Sequence, residues 1–277
     1  MKLRRATLLV VMGAASIAIV AILGLTAASF RGQPTGYRAP RTADGKPDLN
    51  GIWQVMNTAN WDIQDHDQRQ GPYALGAAFS VPPGEGVVVG NEIPYQPAAL
   101  TRKKENAEQW VKLDPEVKCY LPGIPRATYM PYPFQIVQTP THTVFAYAYA
   151  NASRIVYMNV KVEPQIDTWM GYASGRWDGD TLVIQSTGFN DLSWFDRAGN
   201  FHSDALRVTE RFTPISRDAL QYEATIEDPK VFTRPWQMRM PLYRRLEQPA
   251  RLVRYNCVEF AEEVIYGHLR KTPKPSR

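Results

Sequence analysis

The chain has little of the chemistry that most metal and nucleotide sites use. Its 277 residues include only two cysteines and four histidines. It contains no C-x-x-C pair, no H-E-x-x-H motif and no glycine-rich phosphate loop. Those motifs supply the thiolates, zinc ligands and backbone amides that such sites need. Their absence argues against thiol redox chemistry, zinc-protease chemistry and nucleotide hydrolysis. We therefore expect neither a bound metal nor a cofactor.

The chain also lacks a basic body, although its formal net charge is +5. Seven of its 32 basic residues lie near the two ends, at Lys2, Arg4, Arg5, Arg270, Lys271, Lys274 and Arg277. The rest of the chain carries 25 basic against 27 acidic residues. A near-neutral body offers no electrostatic footprint for nucleic acid, so we expect no nucleic-acid partner. Residues 266–277 are predicted to form a solvated basic tail.

Charged residues are absent from residues 6–30, directly after Arg4 and Arg5. An uncharged run of about 25 residues is long enough to cross a bilayer and exceeds the apolar region of a typical cleaved signal peptide. Basic residues before such a run keep the N terminus in the cytoplasm. We predict that residues 1–30 are a signal anchor, inserted in the inner membrane through residues 6–30, with a periplasmic body. The small residues Ala27, Ala28 and Ser29 leave a cleaved signal peptide as the alternative.

The rest of the chain divides by composition into a tether, a body and the tail. Residues 31–47 are rich in turn-forming residues and are predicted to be a tether. Residues 48–265 are predicted to form a single β-rich exported domain. Cys119 and Cys257 are expected to form a disulfide there, because exported compartments are oxidising. Two separate buried thiols are the alternative.

Apolar and polar residues alternate with a period of two through most of the body, which is typical of half-buried strands. One helix is predicted from Pro97 to about Leu113, with Leu100, Ala107, Trp110 and Val111 on its buried face. Nine strands are predicted at residues 134–138, 143–149, 154–158, 171–177, 181–187, 205–213, 219–227, 236–245 and 252–259. Their short connections predict an antiparallel meander that forms a lipocalin-like barrel or a sandwich.

The alternation turns one carboxylate toward the apolar side of the sheet. Glu210 shares a face with Leu206 and Phe212 in the segment 206–212. A buried carboxylate needs a donor or a counter-ion, and the neighbouring strands offer Tyr222 and Arg244. One interpretation is a proton-transfer or ligand-orienting group in a barrel cavity. The other is an ion pair in the core.

The loop at residues 188–204 is the densest polar and aromatic part of the chain. Trp194 is costly to leave exposed, so the loop is predicted to pack over a ligand site with Asp191 beside it. His202 is the natural acid or base there, with Asp196 orienting it. The alternative is a structured turn in which the aspartates cap backbone amides.

Two further groups of residues bear on ligand binding. Tyr147 and Tyr149 fall on one face of a predicted strand, which favours an aromatic wall for a ring-shaped or apolar ligand. The acidic group at residues 62–67 lacks the glycine and the final glutamate of an EF-hand loop, so no calcium site is predicted.

Four segments resemble a family of exported bacterial proteins of unknown function. They are residues 84–97 (GEGVVVGNEIPYQP), 119–126 (CYLPGIPR), 177–190 (WDGDTLVIQSTGFN) and 194–210 (WFDRAGNFHSDALRVTE). This resemblance spans nearly all of the body, but it implies no reaction and no catalytic residue. Separately, Gly51 and Trp53 form a G-x-W pattern that resembles the first strand of lipocalins, in which the tryptophan closes the barrel floor.

Together these patterns favour a membrane-tethered periplasmic barrel that binds a small hydrophobic or aromatic molecule. One alternative is a metal-independent lyase, isomerase or hydrolase that uses His202 and Glu210. Another is an accessory subunit that braces a membrane protein complex.

Overall fold

The computed structural model describes residues 37–71 and 80–257. These residues belong to one compact unit. The predicted signal anchor at residues 1–30 and the basic tail at residues 266–277 lie outside the described ranges. Within those ranges, no helix combines the length and the apolarity that crossing a bilayer requires.

Nine strands form a closed barrel, in which each strand pairs with its neighbours in sequence and β1 pairs with β9. All pairings are antiparallel except that of β4 with β5, which is parallel. The prediction of a mainly β fold is confirmed, and of the two predicted forms it is the barrel and not the sandwich. The prediction that the meander is antiparallel throughout is wrong at β4 and β5. The strands are β1 (Gly51–Gln54), β2 (Phe134–Gln138), β3 (His142–Tyr147), β4 (Ser153–Met158), β5 (Tyr172–Asp178), β6 (Thr181–Thr187), β7 (Arg207–Ser216), β8 (Ala219–Glu227) and β9 (Trp236–Arg244).

Alternation of side chains builds the barrel wall. Buried and more exposed residues alternate along β7, β8 and β9. Because side chains on a strand point to opposite faces in turn, these three strands send every second residue into the interior. The predicted strands at residues 134–138, 181–187 and 219–227 agree with the structure at both ends.

The strand predicted nearest the C-terminal end is wrong. No strand forms at residues 252–257, the described part of the strand predicted at 252–259; Tyr255 makes only an isolated bridge with Tyr149. The strand that completes the barrel is instead β1, which carries Gly51 and Trp53 of the G-x-W pattern; its four residues are too few to show a period of two.

Residues 37–47, the described part of the predicted tether, contact the barrel. Arg41 forms an ion pair with Asp180, between β5 and β6, and the side chain of Gln138, on β2, donates to the Pro47 carbonyl.

The long connections between strands lie at one end of the barrel, and the short connections lie at the other end. One end of the barrel, here called the loop rim, carries residues 55–133, 148–152, 188–206 and 228–235. The opposite end, the turn rim, carries the tight connections at residues 139–141, 179–180 and 217–218. A parallel pair requires a crossover, and residues 159–171 return the chain from the turn rim to the loop rim.

The helices of the described residues all lie in the long connection between β1 and β2. They are α1 (Pro97–Glu108), α2 (Trp110–Leu113) and α3 (Arg126–Tyr129), with 3-10 turns at Val89–Asn91 and Pro115–Lys118. The single helix predicted from residue 97 to 113 breaks at Gln109, whose backbone is not helical. Its predicted buried face is correct only in part, since Trp110 packs against the core and Ala107 and Val111 are half-buried. Ala99 and Asn106 are buried, whereas Leu100 is 40% exposed, because Asn106 donates to the Gly199 carbonyl.

Trp53 closes the interior near the turn rim. It is fully buried, and its indole N–H donates to the Leu49 carbonyl at 2.9 Å. The guanidinium carbon of Arg244 lies 4.2 Å from the centre of the Trp53 ring, and Arg244 Nη1 donates to the Asn50 carbonyl. A Cβ on Gly51 would lie 2.2 Å from Arg244 Nη1, in a backbone conformation with φ +141°. The glycine of the G-x-W pattern therefore makes room for this arginine.

Candidate functional site

Glu210 lies inside the barrel and is fully buried. Arg154, on β4, reaches it with Nη1 at 2.5 Å from Oε2 and with Nη2 at 3.0 Å from Oε1. Tyr222 donates its hydroxyl to Oε1 at 2.9 Å. The predicted donor, Tyr222, is confirmed. The prediction that Arg244 is the counter-ion is wrong. Arg244 packs on Trp53, and the counter-ion of Glu210 is Arg154.

Sequence reasoning missed Arg154 because β4 is ambiguous. The segment Ser153–Met158 places apolar side chains on both faces, so alternation does not show which face points inward. The structure buries Arg154, Val156 and Met158 and exposes Ile155. The only feature of the sequence that indicated a buried cation was the charge of Glu210 itself. An unpaired carboxylate in a barrel core costs several kcal/mol, so Glu210 requires a cationic partner.

Polar atoms without partners lie next to this ion pair. The hydroxyls of Tyr147 and Thr128 and the Nε of Arg154 have no hydrogen-bond partner among the described residues. Burial raises the pKa of Tyr147 to about 12, and Arg154 opposes that rise. Thr128 and Arg154 lie near enough to lower this pKa, although neither is placed for a regular hydrogen bond. The Tyr147 hydroxyl is therefore protonated at neutral pH.

Aromatic rings surround the polar groups. The rings of Phe134 and Phe145 have centres 6.2 Å apart, and those of Phe145 and Phe212 are 5.4 Å apart. The guanidinium carbon of Arg154 lies 4.5 Å from the centre of the Phe145 ring. The region around Glu210 thus combines a charged pair, three polar atoms without a hydrogen-bond partner and an aromatic wall.

A second charged network fixes α3, which carries Thr128. Arg126, at the start of α3, makes two hydrogen bonds of 2.8 Å to Asp114 and one of 2.7 Å to Glu116. Arg197 also pairs with Glu116, and its guanidinium carbon lies 4.1 Å from the centre of the Trp61 ring. A guanidinium held by two carboxylates has little freedom to move. This network holds α3 at the loop rim.

His202 is buried and joined to a serine. Its Nδ1 lies 2.9 Å from the Ser203 carbonyl and its Nε2 lies 2.7 Å from Ser193 Oγ. Because a carbonyl only accepts, Nδ1 carries the proton and Nε2 accepts from Ser193. Burial lowers the pKa of His202, which favours this neutral form. Glu210 bonds instead to Arg154 and Tyr222, so the two predicted proton-transfer residues lie in separate networks.

Asp196 does not orient His202, contrary to the prediction. Its carboxylate accepts from the Ile63 backbone N–H at 2.9 Å, and from the backbone and side-chain N–H groups of Asn200 at 3.1 and 2.6 Å. Burial raises the pKa of Asp196 to about 7, and the nearby Asp62 adds to the rise. These contacts match the alternative in which an aspartate of this loop caps backbone amides.

The remaining predicted ligand residues lie in different parts of the structure. Tyr147 and Tyr222 both lie beside Glu210. Trp194 is buried at the loop rim and forms a bridge with Phe201. Asp191 is exposed.

Tyr149 lies beyond the end of β3, where its hydroxyl donates to the Glu116 carbonyl and its ring stacks on Tyr132. Tyr147 and Tyr149 therefore do not form one wall.

Cys119 and Cys257 form a disulfide, as predicted, with their Cα atoms 5.5 Å apart. It joins the long connection at the loop rim to the segment that follows β9. A disulfide fits an oxidising, exported compartment.

The described residues line open cavities that include four with volumes of about 540, 630, 840 and 590 Å³. The first lies at the turn rim beneath Trp53 and Arg244. None of these four is lined by Glu210, Arg154 or His202. Within residues 37–71 and 80–257, no group of three or more histidines, cysteines and acidic residues is arranged to hold a metal ion.

No family model matches the chain, and no curated protein matches it. The resemblance to exported bacterial proteins stays a prediction. The geometry of the barrel interior is therefore the observation that bears on function.

Proposed function

We propose that the barrel binds a small, mainly apolar or aromatic molecule whose polar group lies beside the Arg154–Glu210 pair. The observation that carries this proposal is the set of unpartnered buried polar atoms on Tyr147, Thr128 and Arg154. Each such atom costs about 1–3 kcal/mol when left unpaired. Buried polar groups in native proteins are otherwise almost always paired. A ligand oxygen at this position would remove part of that cost.

The walls around these atoms suit the apolar part of such a ligand. Phe134, Phe145 and Phe212 pack close to one another inside the barrel. Binding pockets commonly combine aromatic walls with a few polar groups that fix the orientation of the ligand. The barrel interior has both components.

The four open cavities do not reach this cluster, so the bound molecule would be enclosed. Thr128 lies on α3, which the Arg126 network holds at the loop rim. Entry and exit require this region to move. The proposal therefore includes slow exchange, with the ligand retained through purification.

The proposal also places the protein at the membrane. The uncharged segment at residues 6–30 would anchor the chain, and the disulfide supports a body outside the cytoplasm. A periplasmic barrel of this kind would receive its ligand from the periplasm or the membrane.

Mass spectrometry tests the proposal directly. The full-length protein is extracted from its native membranes in detergent, and its intact mass is compared before and after denaturation. We expect wild type to carry a small molecule that the double variant Tyr147→Phe/Thr128→Val retains at least several-fold less. Tyr157→Phe, on the exposed face of β4, is the matched control. The proposal fails if the wild-type protein carries no molecule and no aromatic compound raises its melting temperature.

A second candidate function is that of an accessory subunit. Val137, Val144 and Ile155 lie in register on the outer face of β2, β3 and β4, and Val137 and Ile155 are 42% and 48% exposed. An exposed apolar row of this kind is typical of contact surfaces. Chemical cross-linking in native membranes would support this candidate if Ile155→Lys abolished a cross-linked product that wild type forms.

A further inference from the structure

We infer that the polar group of the bound molecule is an uncharged oxygen acceptor, such as the carbonyl of a ketone, ester or amide. This inference rests on the proposed function and names the chemical class of the ligand. It follows from which groups in the cluster can donate and from the charge that the cluster already holds.

The unused groups are mainly donors. Arg154 Nε carries one N–H and has no lone pair to accept with. Tyr147 keeps its proton at neutral pH, because burial raises its pKa to about 12. The Thr128 hydroxyl can turn either way. A carbonyl oxygen has two lone pairs and needs no acceptor in return, so it satisfies two of these donors at once.

The charge of the cluster is already balanced. Arg154 supplies one positive charge and Glu210 one negative charge, and the two side chains are 2% and 0% exposed. The neighbours that act electrostatically on Arg154 are Glu210, Tyr147 and Tyr222, none of which is cationic. A carboxylate ligand would add an uncompensated charge to a fully buried site, which is strongly unfavourable.

The second charged network offers no free cation. Arg126 and Arg197 are paired with Asp114 and Glu116, two cations with two anions. An ammonium ligand is also disfavoured. It would add an uncompensated positive charge, and both it and Arg154 Nε are donors, so the two cannot hydrogen-bond to each other. An alcohol can also accept, but its own hydrogen must then be accepted by the Thr128 or Tyr147 oxygen, a requirement that a carbonyl does not impose. The carbonyl is the group that matches both the donors and the charge.

The test uses four compounds with one aromatic ring and similar size: acetophenone, 1-phenylethanol, ethylbenzene and benzoate. Their affinities for the full-length protein in detergent are measured by calorimetry after bound material has been exchanged out. We expect acetophenone to bind about tenfold more tightly than ethylbenzene, as one or two net hydrogen bonds would give, and benzoate to bind most weakly. Tyr147→Phe should remove most of the preference for acetophenone over ethylbenzene. Tyr157→Phe should leave it unchanged.

Infrared spectroscopy gives a second readout that does not depend on affinity. The carbonyl stretch of ¹³C-labelled acetophenone should shift to lower frequency when bound to wild type, and the shift should shrink in Thr128→Val or Tyr147→Phe, whichever folds. If benzoate or 1-phenylethanol binds more tightly than acetophenone, or the stretch is unshifted, the inference is overturned while the proposed ligand site stands. If none of the four compounds binds folded wild-type protein, the proposed site for small aromatic molecules fails, and the inference fails with it.

Discussion

Arg154 and Glu210 form an ion pair across the barrel interior from β4 and β7, two strands that β5 and β6 separate in the sheet. The pair thus ties together positions that are not neighbours in the wall. Tyr222 adds a donor from β8. A buried ion pair contributes little net stability, but losing one partner leaves a buried charge, which is costly.

Breaking the pair from either side should destabilise the barrel. We expect Glu210→Gln and Arg154→Met each to lower the free energy of unfolding by about 3–5 kcal/mol. The double variant should lose clearly less than the sum, because its second change removes the orphaned charge. Urea denaturation of the four proteins measures this coupling. Additive losses would show that the two charges do not depend on each other.

The disulfide should contribute much of the stability of the loop rim. Cys119 and Cys257 are separated by 138 residues, and closing a loop of this length stabilises the folded state by about 4–5 kcal/mol through chain entropy. Cys119→Ser should therefore lower the unfolding midpoint strongly. Wild type with a reducing agent should behave like the variant, whereas the agent should not alter the variant. A variant as stable as oxidised wild type would contradict this account.

His202 should make the protein less stable in acid. Burial lowers its pKa below the usual 6.5, so the unfolded chain binds the proton more readily. Its contribution to stability is present above about pH 6.5 and is lost as pH falls toward the lower, folded-state pKa. His202→Gln keeps an acceptor for Ser193 and does not titrate. The stability difference between wild type and this variant, followed by thermal melting, should shrink as pH falls below 6.5. His142→Gln, at a more exposed position, is the control.

Asp196 should have the opposite pH dependence. Its pKa is raised from 3.8 to about 7, mainly by burial, so the folded state holds its proton more tightly than the unfolded chain does. Its contribution is present below about pH 4 and is lost as pH rises toward 7. Wild type should therefore lose stability relative to Asp196→Asn over that range in melting curves. Asp191→Asn, at an exposed position, is the control. A flat difference for Asp196→Asn would mean that its carboxylate is ionised throughout.

The contact between Arg244 and Trp53 should stabilise the turn rim. Arg244→Met keeps the apolar part of the side chain but removes the hydrogen bond to Asn50 and the cation–π contact. These contacts are worth about 2 kcal/mol or more together. Denaturant unfolding should show this loss. Arg217→Met, on the same rim but at an exposed position, should cost under about 0.5 kcal/mol. Equal effects of the two substitutions would count against a specific role for the contact.

Much of the barrel wall could be predicted from the sequence, and the reason is local. On β7 and β8 a strict alternation leaves one consistent inward face, so Glu210 and its donor Tyr222 were both identified. On β4 both faces carry apolar residues, so the inward position of Arg154 was not readable. The helix α1 buries Asn106 instead of Leu100, because a distant carbonyl, that of Gly199, accepts from the Asn106 side chain.

The sequence by itself determined the mainly β class of the fold and the inward carboxylate, and it favoured the pairing of the two cysteines. Each of these follows from alternation between neighbouring residues or from the count of a rare residue. Only the tertiary structure decided that Arg154 neutralises Glu210, that Ser193 bonds to His202, and that Tyr147, Thr128 and Arg154 keep unused polar atoms together. Those relationships join segments far apart in the chain or turned toward each other by a loop, and closing the barrel sets their distances.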